Sequence, residues 1–491
     1  MTKNKTVIIW LSFTRLCQAL IGLATIRLST QFLPQEQFGL LGLLMAITTF
    51  FGLFFINPIG QYLNRHTHEW HHHGVLRRKL LQYNRYLVCL TLLSIAFTAT
   101  WYKLHIFPTI DWFLIATVSS LVAAMIWAGT WNATLIPLLN MLGKQEQSAS
   151  LALVTTLASL LCSVMLVQIS AQVSTWLTGQ VLGLLIGAIV AAYLLRNHLP
   201  LQGQNLEEKF ISRIEVIHYC LPIAASTGLM WFLSNGYRFY VDYVFGGSAL
   251  AIFIVGFAIS GQFWAIIETI GSQVIYPKYY YALSINDKQY SRLAFFHMKS
   301  ALLPSYIFML FFGISVAPKL ITLLTDSRYS DAVEYCQVAM IFEFFRVFTN
   351  IQMQAAQIEK KTSPMIIPYL VAAICGIAGV IFNATFSHSL KNFPWIMAIS
   401  WTVAAITAFY LIGKHSNSKI QTKPIAISTA CGALILLCSK LLPNNNSFIF
   451  QSASIGSLGL IAIAMLYLIQ KNNDSIDFML HIKLPAEKFD E

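Results

Sequence analysis

Residues 7–29 read VIIWLSFTRLCQALIGLATIRLS, and this stretch decides what kind of protein the chain can be. Its length and apolar character are those of a helix that crosses a bilayer. It nevertheless contains Arg15 and Arg27. Because a cation near the middle of a membrane costs roughly 3 kcal/mol or more, such a residue normally faces a bundle interior or a water-filled cavity. The stretch therefore predicts a spanning helix with a charged face turned toward other helices.

The two arginines take different positions on this helix. Ser12, Gln18 and Gly22 lie within about 60° of Arg15 and form a polar stripe with it. Arg27 points about 120° away and lies near the end of the span, where a long side chain can reach the headgroups. We predict Arg15 and Gln18 as contacts of an anionic substrate. Arg27 is a further candidate, and its position also suits an interfacial residue at a portal.

The composition extends the membrane assignment to the whole chain. Of 491 residues, 56% are hydrophobic and 11% are charged, whereas soluble domains carry about 25% charged residues. Apolar runs long enough to span a bilayer recur along the sequence, which indicates an all-α polytopic membrane protein. The eight cysteines occur singly and nearly all within apolar runs, so we interpret them as small core residues.

The apolar runs predict about fourteen spans with a strong charge asymmetry between the two sides of the membrane. Of the 32 Lys and Arg residues, 23 fall on the side of Lys3 and Lys5 and 6 on the other side. Because cytoplasmic segments are enriched in Lys and Arg, both termini are predicted cytoplasmic. The bases are therefore a topology signal, and we expect no nucleic-acid partner. The spans are residues 7–29, 38–57, 84–101, 112–139, 148–170, 174–195, 215–237, 249–275, 299–323, 332–357, 364–386, 393–413, 424–442 and 449–469.

The polar loops suggest how the spans group. The loop around position 200 separates six spans from the next six. We therefore predict an N-terminal six-helix lobe at 1–200 and a C-terminal six-helix lobe at 201–420. Two additional helices and a cytoplasmic tail follow at 421–491. One of the longer polar segments, 58–83, is predicted as a cytoplasmic loop.

The span of residues 332–357 carries the longest polar stripe. Five polar residues step by three or four positions and so share one helix face. Such a face suggests a water-lined surface; alternatively, its acid and base neutralise each other and join helices. We take Arg346, Asn350 and Gln354 as candidate substrate contacts and Glu343 as a candidate coupling residue. The five residues are Glu343, Arg346, Asn350, Gln354 and Gln357.

A second intramembrane acid lies in the span of residues 249–275. Glu268 shares a helix face with Gly261 and Trp264. An ionised carboxylate is costly in lipid, so Glu268 could carry a proton. We take Glu268 and Glu343 as candidates for coupling to H⁺ or Na⁺. The alternative is that Glu268 pairs with an arginine on another helix.

The charges of the two halves differ. The first six spans contain Arg15 and Arg27 but no clearly intramembrane Asp or Glu. A half lined with bases suits an anionic ligand rather than a cationic one. Phosphate-binding and nucleophile motifs such as GxxxxGK[ST], GxGxxG and GxSxG are absent from the sequence. We expect neither a cofactor nor a metal.

Residues 66–73 read HTHEWHHH and formally contain the zinc-protease pattern HExxH at His68–His72. On a helix that pattern places two imidazoles on one face. Five histidines in eight residues make the match uninformative, and the stretch is predicted to lie outside any span. We interpret it as an amphipathic interfacial segment that continues through Arg77, Arg78 and Lys79 against anionic lipid.

Three stretches of the sequence resemble those of a known transporter family. Residues 26–48, IRLSTQFLPQEQFGLLGLLMAIT, contain the Phe-Gly-Leu that ends a turn between the first two spans. Residues 237–260, YRFYVDYVFGGSALAIFIVGFAIS, are similar to an Asp-Arg-Tyr region, with Asn235 and Gly236 before them in place of the Asp. Residues 354–364, QAAQIEKKTSP, resemble a polar loop after the tenth span. Together they resemble the Wzx-type O-antigen flippases, the polysaccharide-exporter branch of the MOP superfamily.

The resemblance implies a flippase in the bacterial inner membrane. Its substrate would be an undecaprenyl-pyrophosphate-linked oligosaccharide, carried from the cytoplasmic to the outer leaflet by alternating access. It also implies a cationic cavity whose arginines bind the pyrophosphate, and other polysaccharide-assembly proteins as partners. Arg238 is the arginine that matches the family motif. The alternative for Arg238 is an interfacial ion pair with Asp242, four residues on.

Two other functions compete with this one. A cation-coupled multidrug or metabolite antiporter of the same superfamily would favour acids in the spans of the first half, where none is found. A membrane-embedded polysaccharide polymerase or glycosyltransferase belongs to another class. Polymerases of such pathways usually carry a large outside loop, and the predicted outside loops are short. We therefore expect a transporter rather than an enzyme.

Overall fold

The computed structural model describes residues 2–105, 112–196, 213–285, 287–359, 363–412, 421–441, 447–471 and 473–482. Every regular element among these residues is helical, which confirms the prediction of an all-α polytopic membrane protein. The α-helices are α1 (Thr2–Phe32), α2 (Gln35–Phe50), α3 (Asn57–His72), α4 (Leu76–His105), α5 (Trp112–Met141), α6 (Gln145–Val167), α7 (Val173–Leu195), α8 (Arg213–Trp231), α9 (Tyr237–Phe245), α10 (Gly247–Val274), α11 (Tyr276–Ser284), α12 (Lys288–Leu324), α13 (Ala332–Met353), α14 (Ala356–Glu359), α15 (Ile366–Phe382), α16 (Phe393–Leu411), α17 (Thr422–Leu441), α18 (Phe448–Lys471) and α19 (Asp474–His481).

Each of the fourteen predicted spans falls on a helix or a continuous run of helices. Within the described residues, 12 helices are long and apolar enough to cross a membrane. The two predicted spans outside that set lie on α1, which carries Arg15 and Arg27, and on α13, which carries Glu343 and Arg346. The cytoplasmic orientation of the termini stays a prediction.

The second span belongs to a longer helix than predicted. α2, a π-helical turn at Phe51–Ile56 and α3 run without a break over Gln35–His72. The segment 58–83, predicted as a cytoplasmic loop, is therefore mostly helical, and residues 73–75 alone connect α3 to α4. Gly74 has a φ of 69°, a left-handed conformation that favours glycine, so the chain reverses within this short connection.

The π-helical turn attaches two other helices to the middle of the second span. A π turn shifts the backbone hydrogen-bond pattern and leaves carbonyl groups that need other donors. The Thr227 hydroxyl, on α8, donates to the Leu53 carbonyl oxygen at 2.7 Å. The Tyr86 hydroxyl, on α4, donates to the Phe55 carbonyl oxygen at 3.0 Å. Side chains of α4 and α8 thus replace part of the helix's own hydrogen bonding.

The described helices form two compact units, Met1–Ala251 and Ile252–Glu491. The first unit includes α8 and α9 as well as α1–α7. The predicted lobe boundary near position 200 lies outside the described residues. The six-helix lobes at 1–200 and 201–420, with additional helices at 421–491, therefore stay a prediction.

Glycines on α7 shape the packing of the first unit. Gly179, Gly183 and Gly187 recur at four-residue spacing and face α6. A Cβ atom added at Gly183 would collide with the backbone of Ser159, and one at Gly179 with the backbone of Ser163. Small residues at this spacing let two membrane helices approach closely, and α6 and α7 are among the most extensively packed helix pairs in the described chain.

In the second unit, the C-terminal helices pack on the 37-residue helix α12. The Asn473 side-chain amide donates to the Ser300 carbonyl oxygen at 2.8 Å. His297 and the Ser475 hydroxyl are hydrogen-bonded at 3.0 Å. These contacts hold α18 and α19 against α12 by buried polar bonds, in addition to apolar packing.

Candidate functional site

A charged cluster in the second unit joins α10 to α13. The Arg346 guanidinium donates from Nη2 to Glu268 Oε2 at 2.6 Å and from Nε to Glu343 Oε2 at 2.5 Å. The Asn350 amide donates to Glu268 Oε1 at 3.3 Å. Positions 343, 346 and 350 fall on one face of α13 because they step by three and four residues. We call Glu268, Glu343, Arg346 and Asn350 the Arg346 cluster.

The Arg346 cluster combines two carboxylates with one guanidinium. The side chains are shielded, with 28% of Glu268, 11% of Glu343 and 21% of Arg346 exposed. Glu343 pairs with the arginine of its own helix, and Glu268 pairs with an arginine on another helix. These are the contacts expected if the acids neutralise an arginine and join helices, which was the alternative to a coupling role. Because both acids hold the guanidinium, Arg346 must release one of them before it binds a substrate anion with the same N–H groups. A cavity along this face stays a prediction.

The polar face of α13 continues to Gln354, which contacts α11. The Tyr280 hydroxyl donates to Gln354 Oε1 at 3.0 Å, and the Tyr279 hydroxyl donates to the Gln354 carbonyl oxygen at 2.8 Å. Burial raises the pKa of Tyr280, so its hydroxyl stays protonated and remains a donor at neutral pH. Gln354 is thereby placed by two tyrosines, neither of which was anticipated from the sequence. The Gln357 side chain lies outside the described residues.

In the first unit, Arg15 and Gln18 contact each other as their spacing predicts. Arg15 Nη1 donates to Gln18 Oε1 at 3.1 Å, and the Arg15 side chain is exposed. Arg27 is half-buried on the same helix, and its carbonyl oxygen accepts from the Thr30 hydroxyl at 2.9 Å. α1 packs against α6. The substrate roles of Arg15, Gln18 and Arg27 stay predictions.

Arg238 connects two of the stretches that carry the family resemblance. Its Nη1 donates to the Gly42 carbonyl oxygen at 3.0 Å, so the guanidinium of α9 is hydrogen-bonded to α2. Beside this bond, Gly39 packs directly on the Gly247 carbonyl, in a space that a Cβ atom would occupy. This contact gives Arg238 a structural role, and its binding of substrate stays a prediction.

Sequence reasoning missed a polar cavity in the first unit. The cavity, of about 490 Å³, opens between the second span and α5. Its polar lining consists of hydroxyl and amide groups, which can exchange hydrogen bonds with a neutral, hydroxyl-rich ligand. The spacing of Asn57, Gln61 and Asn64 on one face of α3 is the signal that could have found it. The polar lining residues are Thr48, Thr49, Asn57, Gln61, Asn64, Tyr83, Thr130 and Thr134.

The histidine segment forms the end of α3. Thr67 and Trp70 are buried, whereas His68, Glu69 and His72, which would form the HExxH pattern, are exposed. Nowhere in the described ranges do three or more His, Cys, Asp or Glu side chains gather as metal ligands would. One face of this part of α3 is buried and the other is exposed, as expected for an amphipathic interfacial segment.

Solved structures with a similar arrangement of helices show the fold of this protein. One, titled "Lipid II flippase MurJ, inward closed conformation", matches with a TM-score of 0.67 and 10% identity, over 95% of this chain and 98% of that chain. A MATE structure in complex with MaL6 matches with a TM-score of 0.59 and 13% identity, over 84% and 96%. An outward-facing multidrug resistance MATE family transporter of the MOP superfamily matches with a TM-score of 0.57 and 12% identity, over 84% and 96%. The protein has the fold of MOP-superfamily transporters.

The family follows from the sequence comparison. The chain belongs to the family described as polysaccharide biosynthesis protein, which matches residues 30–334. No curated protein matches the sequence. The predicted resemblance is thus confirmed in family, as a polysaccharide biosynthesis protein, and in fold, as that of MOP-superfamily transporters.

Proposed function

We propose that this protein is a flippase that moves an undecaprenyl-pyrophosphate-linked oligosaccharide from the cytoplasmic to the outer leaflet of a bacterial cytoplasmic membrane. Membership of the polysaccharide biosynthesis family supports a saccharide substrate. The similar solved structure titled as a lipid II flippase supports a lipid-linked one. Transport would proceed by alternating access without a cofactor or a catalysed reaction, alongside other polysaccharide-assembly proteins.

The observation that carries the proposal is the charge of the first six spans. They hold Arg15 and Arg27 and no clearly intramembrane acid. Guanidinium groups bind phosphate oxygens with two parallel hydrogen bonds, and they keep their charge at any physiological pH. Arg15 is exposed, and its one described side-chain bond is to the neutral Gln18. Its remaining N–H groups can bind a pyrophosphate, and we propose Arg15 as the first contact of that group.

The Arg346 cluster supports a coupled exchange of ions in the second unit. While ionised, Glu268 and Glu343 compete with a substrate anion for Arg346. A proton or Na⁺ that neutralises Glu268, the more exposed acid, would free the Nη2 group of Arg346 for the substrate. We propose this competition as the means by which ion binding and substrate binding are linked, with Asn350 and Gln354 completing the polar face.

The export assay tests the flippase proposal directly. Deletion of the gene is expected to leave the lipid-linked oligosaccharide on the cytoplasmic leaflet, where an impermeant lectin or glycosidase cannot reach it in intact cells. Wild-type protein should restore access, Arg15→Ala should not, and Arg15→Lys should restore part of it because one charge remains. Arg85→Ala, which removes another exposed arginine of the first unit, is the matched control. Full export by Arg15→Ala at normal protein level would remove Arg15 from the site.

The acids of the second unit favour one alternative, a cation-coupled drug or metabolite antiporter. The MATE structures share the fold, and two carboxylates on one guanidinium leave negative charge to attract a cation. The same deletion strain distinguishes the two functions. Raised susceptibility to cationic drugs with a normal surface polysaccharide would favour the antiporter, and the reverse result the flippase.

A further inference from the structure

A groove in the first unit lies at the ends of three helices and belongs to none of the groups described above. α4 and α7 both pack on α5, and the space over α5 is a cavity of about 420 Å³. Each helix contributes one face to it, because the lining residues follow helical spacing. The lining residues are Arg77, Leu81 and Asn84 of α4, Trp127, Trp131 and Leu135 of α5, Leu185, Ala188, Ile189, Ala192 and Leu195 of α7, and Arg196 at its end.

The inner part of the groove presents an amide donor above an apolar wall. The indole N–H groups of Trp127 and Trp131 both donate to Asn84 Oδ1, at 3.1 Å and 3.0 Å. An indole is only a donor, so the amide oxygen of Asn84 is the atom that faces the two tryptophans. The amide nitrogen of Asn84 therefore keeps its two N–H donors for another acceptor. Alanines at 188 and 192 leave the opposite wall open.

Among the described lining residues, the mouth of the groove carries two guanidinium groups and no acid. Arg77, one residue into α4, and Arg196, just past α7, are both exposed. The Arg196 guanidinium lies 4.0 Å from the ring centroid of Tyr193 and donates to its hydroxyl at 3.3 Å. Both arginines belong to the segments that the distribution of bases predicts as cytoplasmic. Leu81 and Ile189 are exposed beside them, so the groove also opens sideways, where lipid chains would surround the protein.

We propose that this groove binds one anionic phospholipid of the cytoplasmic leaflet. Arg77 and Arg196 contact the phosphate, since guanidinium groups bind phosphate oxygens strongly. The Asn84 amide donates to an ester carbonyl, and an acyl chain lies along the apolar wall formed by α5 and α7. Basic pockets between membrane helices on the cytoplasmic side are known to take anionic headgroups. The site is separate from the Arg346 cluster and from Arg15, and it does not depend on the proposed transport function.

Native mass spectrometry of the purified full chain, with dioleoyl phosphatidylglycerol and phosphatidylcholine as probes, tests the site. The wild type is expected to retain one phosphatidylglycerol in preference to phosphatidylcholine. Arg77→Gln with Arg196→Gln should lower that preference by roughly 25-fold, about fivefold for each arginine. Arg77→Gln alone should lower it about fivefold. Arg78→Gln removes the same single charge one residue away but outside the groove, and it should leave the preference unchanged. An unchanged preference in the double variant, or an equal loss in Arg78→Gln, overturns the proposal.

A second variant separates the groove from a diffuse attraction to charge. Ala192→Phe fills the apolar wall on the exposed face of α7 and leaves both arginines in place. It should reduce retention of either lipid at this site, and retention equal to the wild type contradicts a seated acyl chain. Competition with undecaprenyl pyrophosphate decides between lipid sources. Displacement of phosphatidylglycerol at equimolar concentration would assign the groove to the transported lipid and overturn the proposal.

Discussion

Arg346 is bound by two carboxylates, and only one of these contacts could be predicted from the sequence. Glu343 precedes it by three residues, so a helical pattern predicts that both lie on one face. Glu268 lies 78 positions earlier, and only the packing of α10 on α13 brings its Oε2 within 2.6 Å of the guanidinium. The arginine that the sequence predicts as a substrate contact therefore already donates to two carboxylates, through Nε and Nη2. Binding of a substrate anion by these two groups depends on the protonation or release of a neighbouring carboxylate.

Replacing Arg346 with methionine tests how much the charge pairing in the Arg346 cluster contributes to stability. The variant is expected to lose on the order of 3 kcal/mol of unfolding free energy, because two shielded carboxylates lose their counter-charge. Adding Glu268→Gln and Glu343→Gln should recover most of that loss, since the amides carry no charge. The unfolding midpoint temperature of purified protein in detergent measures both effects.

The control for the Arg346 variants is an exposed ion pair of the same unit. Arg328 pairs with Asp326 at 2.8 Å, with 43% of the arginine side chain exposed. Arg328→Met should change the midpoint little, because solvent-exposed pairs contribute little to stability. A triple variant no more stable than Arg346→Met would contradict the account of the cluster.

At the scale of elements, the continuous helix over Gln35–His72 organises the first unit. Its N-terminal turns meet the start of α10 through Gly39 and Gly247, and its central π-helical turn accepts side-chain donors from α4 and α8. Its C-terminal third, α3, contributes Asn57, Gln61 and Asn64 to the polar cavity. This one helix thus carries residues of the family motifs and residues that line the polar cavity. Its amino-acid composition had instead predicted a span followed by a polar loop.

Two glycines of this helix provide a matched pair of substitutions. Gly39→Ala is expected to lower the unfolding midpoint, because the new methyl group collides with the Gly247 carbonyl, a backbone group that cannot rotate away. Gly60→Ala meets nothing within 4 Å. It should be neutral or stabilising, by up to about 1 kcal/mol, since alanine favours the helix over glycine. Equal midpoints for the two variants would mean that the close approach at Gly39 contributes nothing to packing.

At the scale of the whole molecule, the unequal distribution of Lys and Arg between the two sides of the membrane emerges only when all the loops are counted together. The asymmetry of 23 to 6 arises from eight segments on one side and seven on the other, and it predicts that Arg78 lies inside and Lys391 outside the cell. Each predicted span falls on a helix or a run of helices of the described chain, and the side of the membrane on which each loop lies stays a prediction. The predicted orientation would put the groove of Arg77 and Arg196 at the cytoplasmic leaflet.

Single-cysteine labelling checks this orientation. Lys391→Cys, at a side chain that is 73% exposed, should react with a membrane-impermeant maleimide in intact cells. Arg78→Cys should react only after the membrane is permeabilised. The unmodified protein, whose eight cysteines lie almost entirely within spans, supplies the background. The reverse pattern would invert the topology, and with it the direction proposed for transport and the leaflet proposed for the phospholipid.

Most of the fold was predictable, and less of the site. Each predicted span falls on a helix or a run of helices, and 12 of the described helices are long and apolar enough to cross a membrane. This was predictable because a chain in lipid must satisfy its backbone hydrogen bonds within helices of bilayer length, which requires long apolar runs in the sequence. The local contact between Arg15 and Gln18 followed from helical spacing. The bond from Arg238 to the Gly42 carbonyl and the tyrosines that hold Gln354 did not, because neither partner is near in sequence.

The sequence by itself determined the class of protein, its spans and the sign of charge in its first half, because the bilayer penalises polar groups at each position independently of partners. The tertiary structure alone decided which polar groups meet. Helix packing brings two acids into contact with Arg346 and lets Arg238 donate to a carbonyl of α2. The second span continues through a π-helical turn, and a groove forms between α4 and α7. Partner choice depends on how helices rotate and cross as they pack, and no local pattern of residues carries that information.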